Sequence, residues 1–379
     1  MKNKTLPIFL AFLVMGIADA MGPMASAVQK SYELSAVMAT LLTFFVFIAF
    51  AVFSVPGGIL ATRIGKKNLL LLGLGLNMVA TAVPTFSEPG FMLLLICIFL
   101  LGVGTTLLQV AGNPIMRDVS AEGDYSRNLA LAQGIKGLGS SGSSYLVGLV
   151  MILPLFAAMG WRGAFPVFFA LMTLAFIFVA LLKIDEHKAD VPPGIGSSLS
   201  LLKEPVFALA VLGIFLYVGA EVSMARFLKP TLEGFGFTSD KAALLGPTLF
   251  FGAITIGRLA AGSVKLNPHG FFRLSAGLGL LALVLMVTGQ SWLSLVGVVL
   301  GGLGFANIWP MLFSITIEEK PERGSELSGL MCMAISGGAV VPLVMSRLVD
   351  SGLTALAYLV PLACFAYLFA LSLKGKKAA

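Results

Sequence analysis

Residues 91–116 read FMLLLICIFLLGVGTTLLQVAGNPIM, an apolar run without a single charged side chain. A helix crosses the hydrocarbon core of a bilayer with about 20 residues, so this run spans a membrane with length to spare. Only in lipid is such a stretch stable, because a helix satisfies its own backbone groups there. The composition extends the same reading to the whole chain. Of 379 residues, 58% are hydrophobic and 11% charged, against roughly 25% charged in soluble domains.

Working outward from 91–116, breaks at charged, polar and Gly/Pro clusters place spans near 6–29, 36–61, 68–86, 91–116, 128–152 and 163–183. Six more follow near 206–229, 242–264, 271–289, 293–317, 326–349 and 353–373. The expected fold is an all-α membrane protein of twelve transmembrane helices in two six-helix, pseudo-symmetric halves. The expected domains are 1–183 and 206–379, joined by a polar cytoplasmic linker at 184–205 that contains Pro192, Pro193 and a Gly/Ser run. With the N-terminus inside, the loops on that side carry most of the 25 Lys and Arg. Both termini are therefore expected in the cytoplasm. The basic start Met1–Lys4 leads into an apolar run with no small-residue cleavage site, so the first span is expected to be retained.

The net charge of +7 resides in short loops between spans, which argues against a nucleic-acid partner. Cys97, Cys332 and Cys364 lie in apolar runs without ligand spacing and read as small buried hydrophobes. His187 and His269 fall in loops, so no metal site or histidine relay is expected. No nucleophile–base constellation points to an enzyme.

The halves echo one another at an offset of about 200 residues. Gly102 and Gly104 are matched by Gly302 and Gly304, Gly57-Gly58 by Gly257-Arg258, and Asp19 by Glu221. Duplicated halves place a solute site near the bilayer midplane. The turn after the second span, Gly58-Ile-Leu-Ala-Thr-Arg63-Ile-Gly65-Lys66-Lys67, resembles the cytoplasmic signature of the major facilitator superfamily. Thr62 stands where that signature has an acid.

Five ionisable residues lie inside spans: Asp19, Lys136, Glu221, Arg226 and Arg258. Each costs at least a few kcal/mol there unless it faces a partner or a cavity. At 1.5 Å per residue, Lys136 lies roughly 13 Å from the cytoplasmic end of its span, Asp19 roughly 20 Å and Glu221 roughly 22 Å. Arg226, roughly 30 Å along, either snorkels to the outer interface or meets solute. Arg258, near the cytoplasmic end, and Arg63 are gating candidates. Asp19 and Lys136 are expected to form an ion pair in the empty protein.

Gln109 and Asn113 share one face of the fourth span, and Gln133, Lys136 and Ser140 one face of the fifth. With Asn307, Trp309, Ser336 and Arg226 they form the candidate solute-binding set. Amides, hydroxyls and an aromatic plate suit a sugar; singly, each residue equally suits interhelical hydrogen bonding. The run Gly137-Leu-Gly139-Ser-Ser-Gly142 is expected to allow close approach of helices.

The strings Asp19-x-x-x-Pro23, Leu107-Leu-Gln109-Val-Ala-Gly-Asn113-Pro114, Leu131-Ala-Gln133, Tyr217-Val-Gly-Ala-Glu221, Gly257-Arg258, Trp309-Pro310-x-x-Phe313-Ser314 and Gly337-Gly338-x-x-x-Pro342 resemble the fucose–galactose–glucose:proton symporter family of that superfamily. The resemblance runs through nearly the whole chain. It implies sugar import by proton symport with alternating access, in a bacterial cytoplasmic (inner) membrane, by a monomer without cofactor. It also implies coupling through the first-span acid, Asp19, with Glu221 as a second candidate, and sugar contact at Gln109 and Lys136. Two positions depart from the family pattern: Gln109 replaces an acid and Lys136 an asparagine. The local charge shifts by two units toward positive, which suits an anionic sugar such as a uronate or sialate. The alternatives are a neutral hexose or deoxyhexose with Lys136 only pairing Asp19, and small-molecule efflux.

Overall fold

The computed structural model describes residues 2–156, 158–184, 193–234, 236–265, 267–288, 290–351 and 354–374. Part of the linker, residues 185–192 with His187, lies outside the described residues. Among those described, the chain is helical with no strand. Six crossings are single helices at Ala36–Ile64, Lys66–Phe86, Phe91–Val119, Tyr125–Val150, Pro205–Gly234 and Ser239–Gly262. The sixth runs through Ala164–Leu181 and the ninth through Pro268–Val287.

Four crossings are interrupted. The first is Lys2–Met15, a 3-10 turn at Gly16–Ala20, then Met21–Ser31. The tenth is Ser291–Ala306 and Ile308–Glu319, parted at Asn307. The eleventh is Gly324–Met333, a 3-10 turn at Ala334–Ser336, then Gly337–Asp350. The twelfth is Thr354–Ala357 and Leu359–Leu373, parted at Tyr358. Nine stretches among the described residues are long and apolar enough to cross a membrane by themselves. The nine do not include the first, fifth and twelfth crossings. The chain is a polytopic all-α membrane protein of twelve crossings.

The described chain gathers into two compact units. One holds Met1–Glu122, Ile135–Leu199 and Arg323–Met333; the other holds Gly123–Gly134, Ser200–Glu322 and Ala334–Ala379. The core of the first is built on Phe12, Phe165 and Phe168, each fully buried. That of the second is built on Phe250, Phe305 and Phe365, whose rings stack with centroids 5.2 and 4.2 Å apart. Large apolar side chains such as Phe86, Met92, Ile152 and Leu181 are left exposed, as a lipid solvent permits.

Glycines set how closely the crossings approach, and they do so twice. In the first unit, a Cβ at Gly139 would collide with the backbone carbonyl of Leu13, and one at Gly16 with the backbone of Ser140. The first and fifth crossings therefore touch backbone to backbone, as the Gly/Ser run led one to expect. In the second unit Gly337 meets the Phe215 carbonyl in the same way, joining the eleventh and seventh crossings. Gly104 packs on Gly73 of the third crossing, and Gly304 on Gly279 of the ninth. The sequence repeat is thus a repeat of helix contacts.

Outside the membrane, the far-side turn is tied by Tyr32, whose hydroxyl donates to the Pro89 carbonyl at 2.6 Å. Trp161 Nε1 donates to Ser31 Oγ at 2.9 Å, and Arg162 pairs with Glu88. Burial raises the Tyr32 pKa above the usual phenol value, against the opposing pull of Arg162.

Gly139→Val should overpack the contact between the first and fifth crossings and cost about 1–3 kcal/mol or more. A lowered unfolding temperature in detergent would register it. Gly142→Ala, with open space around its Cα, should leave that temperature unchanged or slightly raised.

Candidate functional site

The helix breaks coincide with candidate solute residues. Asp19 sits on the 3-10 turn of the first crossing, Asn307 at the break of the tenth and Ser336 on the turn of the eleventh. Non-helical backbone at membrane depth persists where it is buried in protein or lines a cavity. Broken helices are also how carriers build midplane sites.

In the first unit, the glycine contact brings Asp19 against the fifth crossing, where the Ser140 hydroxyl donates to Asp19 Oδ2 at 2.5 Å. The same hydroxyl lies 3.1 Å from the Lys136 carbonyl; it has one proton, and the shorter contact takes it. Lys136 is half-buried and its ammonium donates to Gln109 Oε1 at 3.3 Å. Asn113, one turn beyond Gln109, is fully buried and lies 4.0 Å from Cys332 Sγ. The structure therefore links Asp19 to Ser140 and Lys136 to Gln109, with Asn113 one turn beyond Gln109. The expected ion pair between Asp19 and Lys136 is not formed among the described residues. Lys136 reaches to the fourth crossing, while Asp19 is met one turn further along by Ser140.

In the second unit, Glu221 and Arg258 are an ion pair, Oε1 to Nη2 at 3.6 Å. The pair joins Arg258, near the end of its helix Ser239–Gly262, to the seventh crossing. The seventh helix runs from Pro205 to Gly234, so Glu221 lies near its middle. The long arginine side chain reaches inward instead of snorkelling out, and Arg258 is only 9% exposed. Its Nη2 also donates to the Tyr217 hydroxyl at 3.1 Å, and its Nε to the Ala306 carbonyl at 3.0 Å. Asn307 Nδ2 donates to the Gly257 carbonyl at 3.3 Å.

Trp309 packs on Phe313 with ring centroids 5.5 Å apart. Three buried polar atoms here have no hydrogen-bond partner among the described residues: Asn307 Oδ1, Trp309 Nε1 and Ser223 Oγ. Gln133 is buried and Ser336 half-buried. Arg226 is exposed, its guanidinium carbon 5.7 Å from the ring of its chain neighbour Phe227.

Arg63 is exposed and makes no hydrogen bond or ion pair among the described residues. The ion pair of that turn belongs to Lys66, with Asp118 at 2.5 Å. The closely packed feature of the second crossing is Gly58, where a Cβ would lie 2.6 Å from the Ser325 carbonyl. Beside it, Glu326 is 5% exposed and held by Arg323 at 2.5 and 2.8 Å and by the Ser198 hydroxyl at 2.9 Å. The sequence reading missed this cluster, though Arg323 and Glu326 at i, i+3 are a visible signal. It also left Tyr217 out of the site, though Tyr217 and Glu221 share a helix face at i, i+4.

A membrane carrier built on broken helices with polar breaks is the class these features define. The sequence pattern of the Major Facilitator Superfamily matches residues 8–342, and the chain belongs to that superfamily. It is a transporter, not an enzyme. It is 29% identical to a glucose/galactose transporter of Brucella abortus, over 100% of this chain and 94% of that protein. Its identity to the L-fucose-proton symporter of Escherichia coli is 22%, over 90% of this chain and 85% of that one. Among solved structures it resembles the E. coli fucose:proton symporter FucP, with a TM-score of 0.83 at 20% identity, covering 99% of this chain and 100% of FucP. The proton:xylose symporter XylE gives a TM-score of 0.78 at 12% identity, covering 99% and 95%. The major facilitator fold is thereby established.

Arg323→Ala should destabilise more than Glu326→Ala, because it strands a buried carboxylate whereas the partly exposed Arg323 can turn to water. About 3 kcal/mol is expected for the first and about 1 kcal/mol for the second. Thermal unfolding of the two variants side by side checks the order.

Proposed function

We propose that this transporter imports a sugar or sugar derivative together with a proton. The observation that carries the reading is the chain of contacts Asp19–Ser140 and Lys136–Gln109 in the first unit. A carboxylate at a helix break is exposed and meets the Ser140 hydroxyl, and one turn from that serine Lys136 meets the Gln109 amide. The relatives named as glucose/galactose transporters and as an L-fucose-proton symporter support both the sugar and the proton. The two halves, 1–183 and 206–379, joined by 184–205, would supply alternating access. The membrane is proposed to be the bacterial inner membrane, with both termini cytoplasmic and the carrier working as a monomer.

Lys136 favours an acidic sugar. It has no carboxylate within ion-pair distance among the described residues, and its only hydrogen-bond partner there is a neutral amide. A half-buried ammonium with a neutral partner gains most from an anionic ligand. The second reading, a neutral hexose, is favoured by the names of the relatives.

Uptake into proteoliposomes, with an acid-outside pH gradient or none, separates these readings. D-glucose, D-galactose, L-fucose and D-glucuronate are the probes. Gradient-driven accumulation of one of them is expected, with D-glucuronate preferred. Accumulation indifferent to the gradient would remove proton symport. Asp19→Asn should abolish accumulation yet retain sugar exchange. Lys136→Asn should weaken D-glucuronate uptake by about tenfold or more, the loss of one charge-assisted bond. Unchanged D-glucuronate uptake in that variant would leave the neutral-sugar reading.

A further inference from the structure

Breaking a helix inside a bilayer exposes backbone groups that only other parts of the protein can satisfy. The tenth crossing is broken at Asn307, and the eighth crossing supplies a partner for the backbone just before the break and one for the side chain at it. Arg258 Nε donates to the carbonyl of Ala306, the last residue before it. The carbonyl of the adjacent Gly257 accepts from the Asn307 side chain. Gly257 permits this approach, since a Cβ there would lie 2.7 Å from the Ala306 Cβ. The far edge of the same guanidinium meets the Tyr217 hydroxyl and the Glu221 carboxylate on the seventh crossing. One cation thus ties three crossings together at the break.

The bond to Gly257 also settles which way the Asn307 amide faces. A backbone carbonyl only accepts, so Nδ2 must point at it and Oδ1 must point away. Oδ1 and, two residues on, Trp309 Nε1 are buried without a partner among the described residues: one acceptor and one donor. Asn307 is 5% and Trp309 4% exposed. Such orphaned groups are costly unless something fills them. A hydroxyl, being donor and acceptor at once, complements them.

We propose that Arg258, braced by Glu221 and Tyr217, is a positioning residue that holds the tenth-crossing break so that Asn307 Oδ1 and Trp309 Nε1 are presented to a hydroxyl-bearing ligand. The ligand class rests on the sugar reading above. In this arrangement Glu221 is the counter-charge of the brace, and proton carriage falls to Asp19 alone.

The test uses full-length protein carrying Trp161→Phe and Trp292→Phe, which leaves Trp309 as the sole tryptophan of the three. Arg258→Lys keeps the charge but loses the planar fork. It should raise acrylamide quenching of Trp309 about twofold and the KM for the transported sugar about tenfold, the equivalent of one buried hydrogen bond, with Vmax per folded protein little changed. Glu221→Gln should raise KM likewise while the pH-gradient-driven accumulation ratio stays that of the parent. Wild-type quenching and KM in a folded Arg258→Lys protein would overturn the proposal. So would a Glu221→Gln protein with unchanged KM and lost accumulation, which would return Glu221 to proton coupling. Should Arg258→Lys fail to fold, Tyr217→Phe removes one arm of the brace and is read by the same two measurements. If neither D-galactose nor D-glucuronate is bound by the parent protein, the sugar reading falls, and quenching alone still decides the brace.

Discussion

Hydrocarbon offers no hydrogen bonds, so every backbone amide in a crossing must find its partner within the protein. Most of this chain meets that demand with unbroken helix. Where helix stops inside a crossing, at Gly16–Ala20, Asn307 and Ala334–Ser336, a substitute has to be provided. At Asn307 it is the guanidinium of Arg258, which donates to the Ala306 carbonyl. An ionisable side chain that would be a liability in lipid is placed there where it repairs the backbone.

A second constraint is distance. Gly16 and Gly139 in one unit, and Gly337 in the other, bring crossings together closely enough for backbone contact. The resulting scaffold is repeated, but the chemistry placed on it is not. Asp19 and Glu221 occupy corresponding places in the two halves. Asp19 is exposed and accepts from a neutral hydroxyl, whereas Glu221 is matched to an arginine. The two frames are alike, yet one carboxylate stands exposed against a hydroxyl and the other is paired with an arginine.

Much of the candidate site was legible along the chain. The i, i+4 pairing of Gln109 and Asn113 and the face shared by Lys136 and Ser140 follow from helix geometry, and that face carries the Ser140 contact with Asp19 and the Lys136 contact with Gln109. The errors share one cause. Depth measured along a helix locates a Cα, not the end of a side chain. Arg258 was placed a turn and a half from the cytoplasm, yet its guanidinium reaches the middle of the seventh helix. Lys136 and Asp19 were close enough in depth to pair, yet lysine turns to Gln109.

Apolar length, charge placement and the internal repeat determined, from the sequence by itself, a twelve-crossing carrier with duplicated halves. They could do so because bilayer thickness and backbone hydrogen bonding act on each crossing separately. Which charge meets which was decided only by tertiary structure. Side-chain pairing depends on how closely two backbones approach and where a helix breaks, and those are properties of packed neighbours far apart in the chain. The same physics that makes the crossings legible one at a time leaves the partners of Arg258 and Lys136 to the packing.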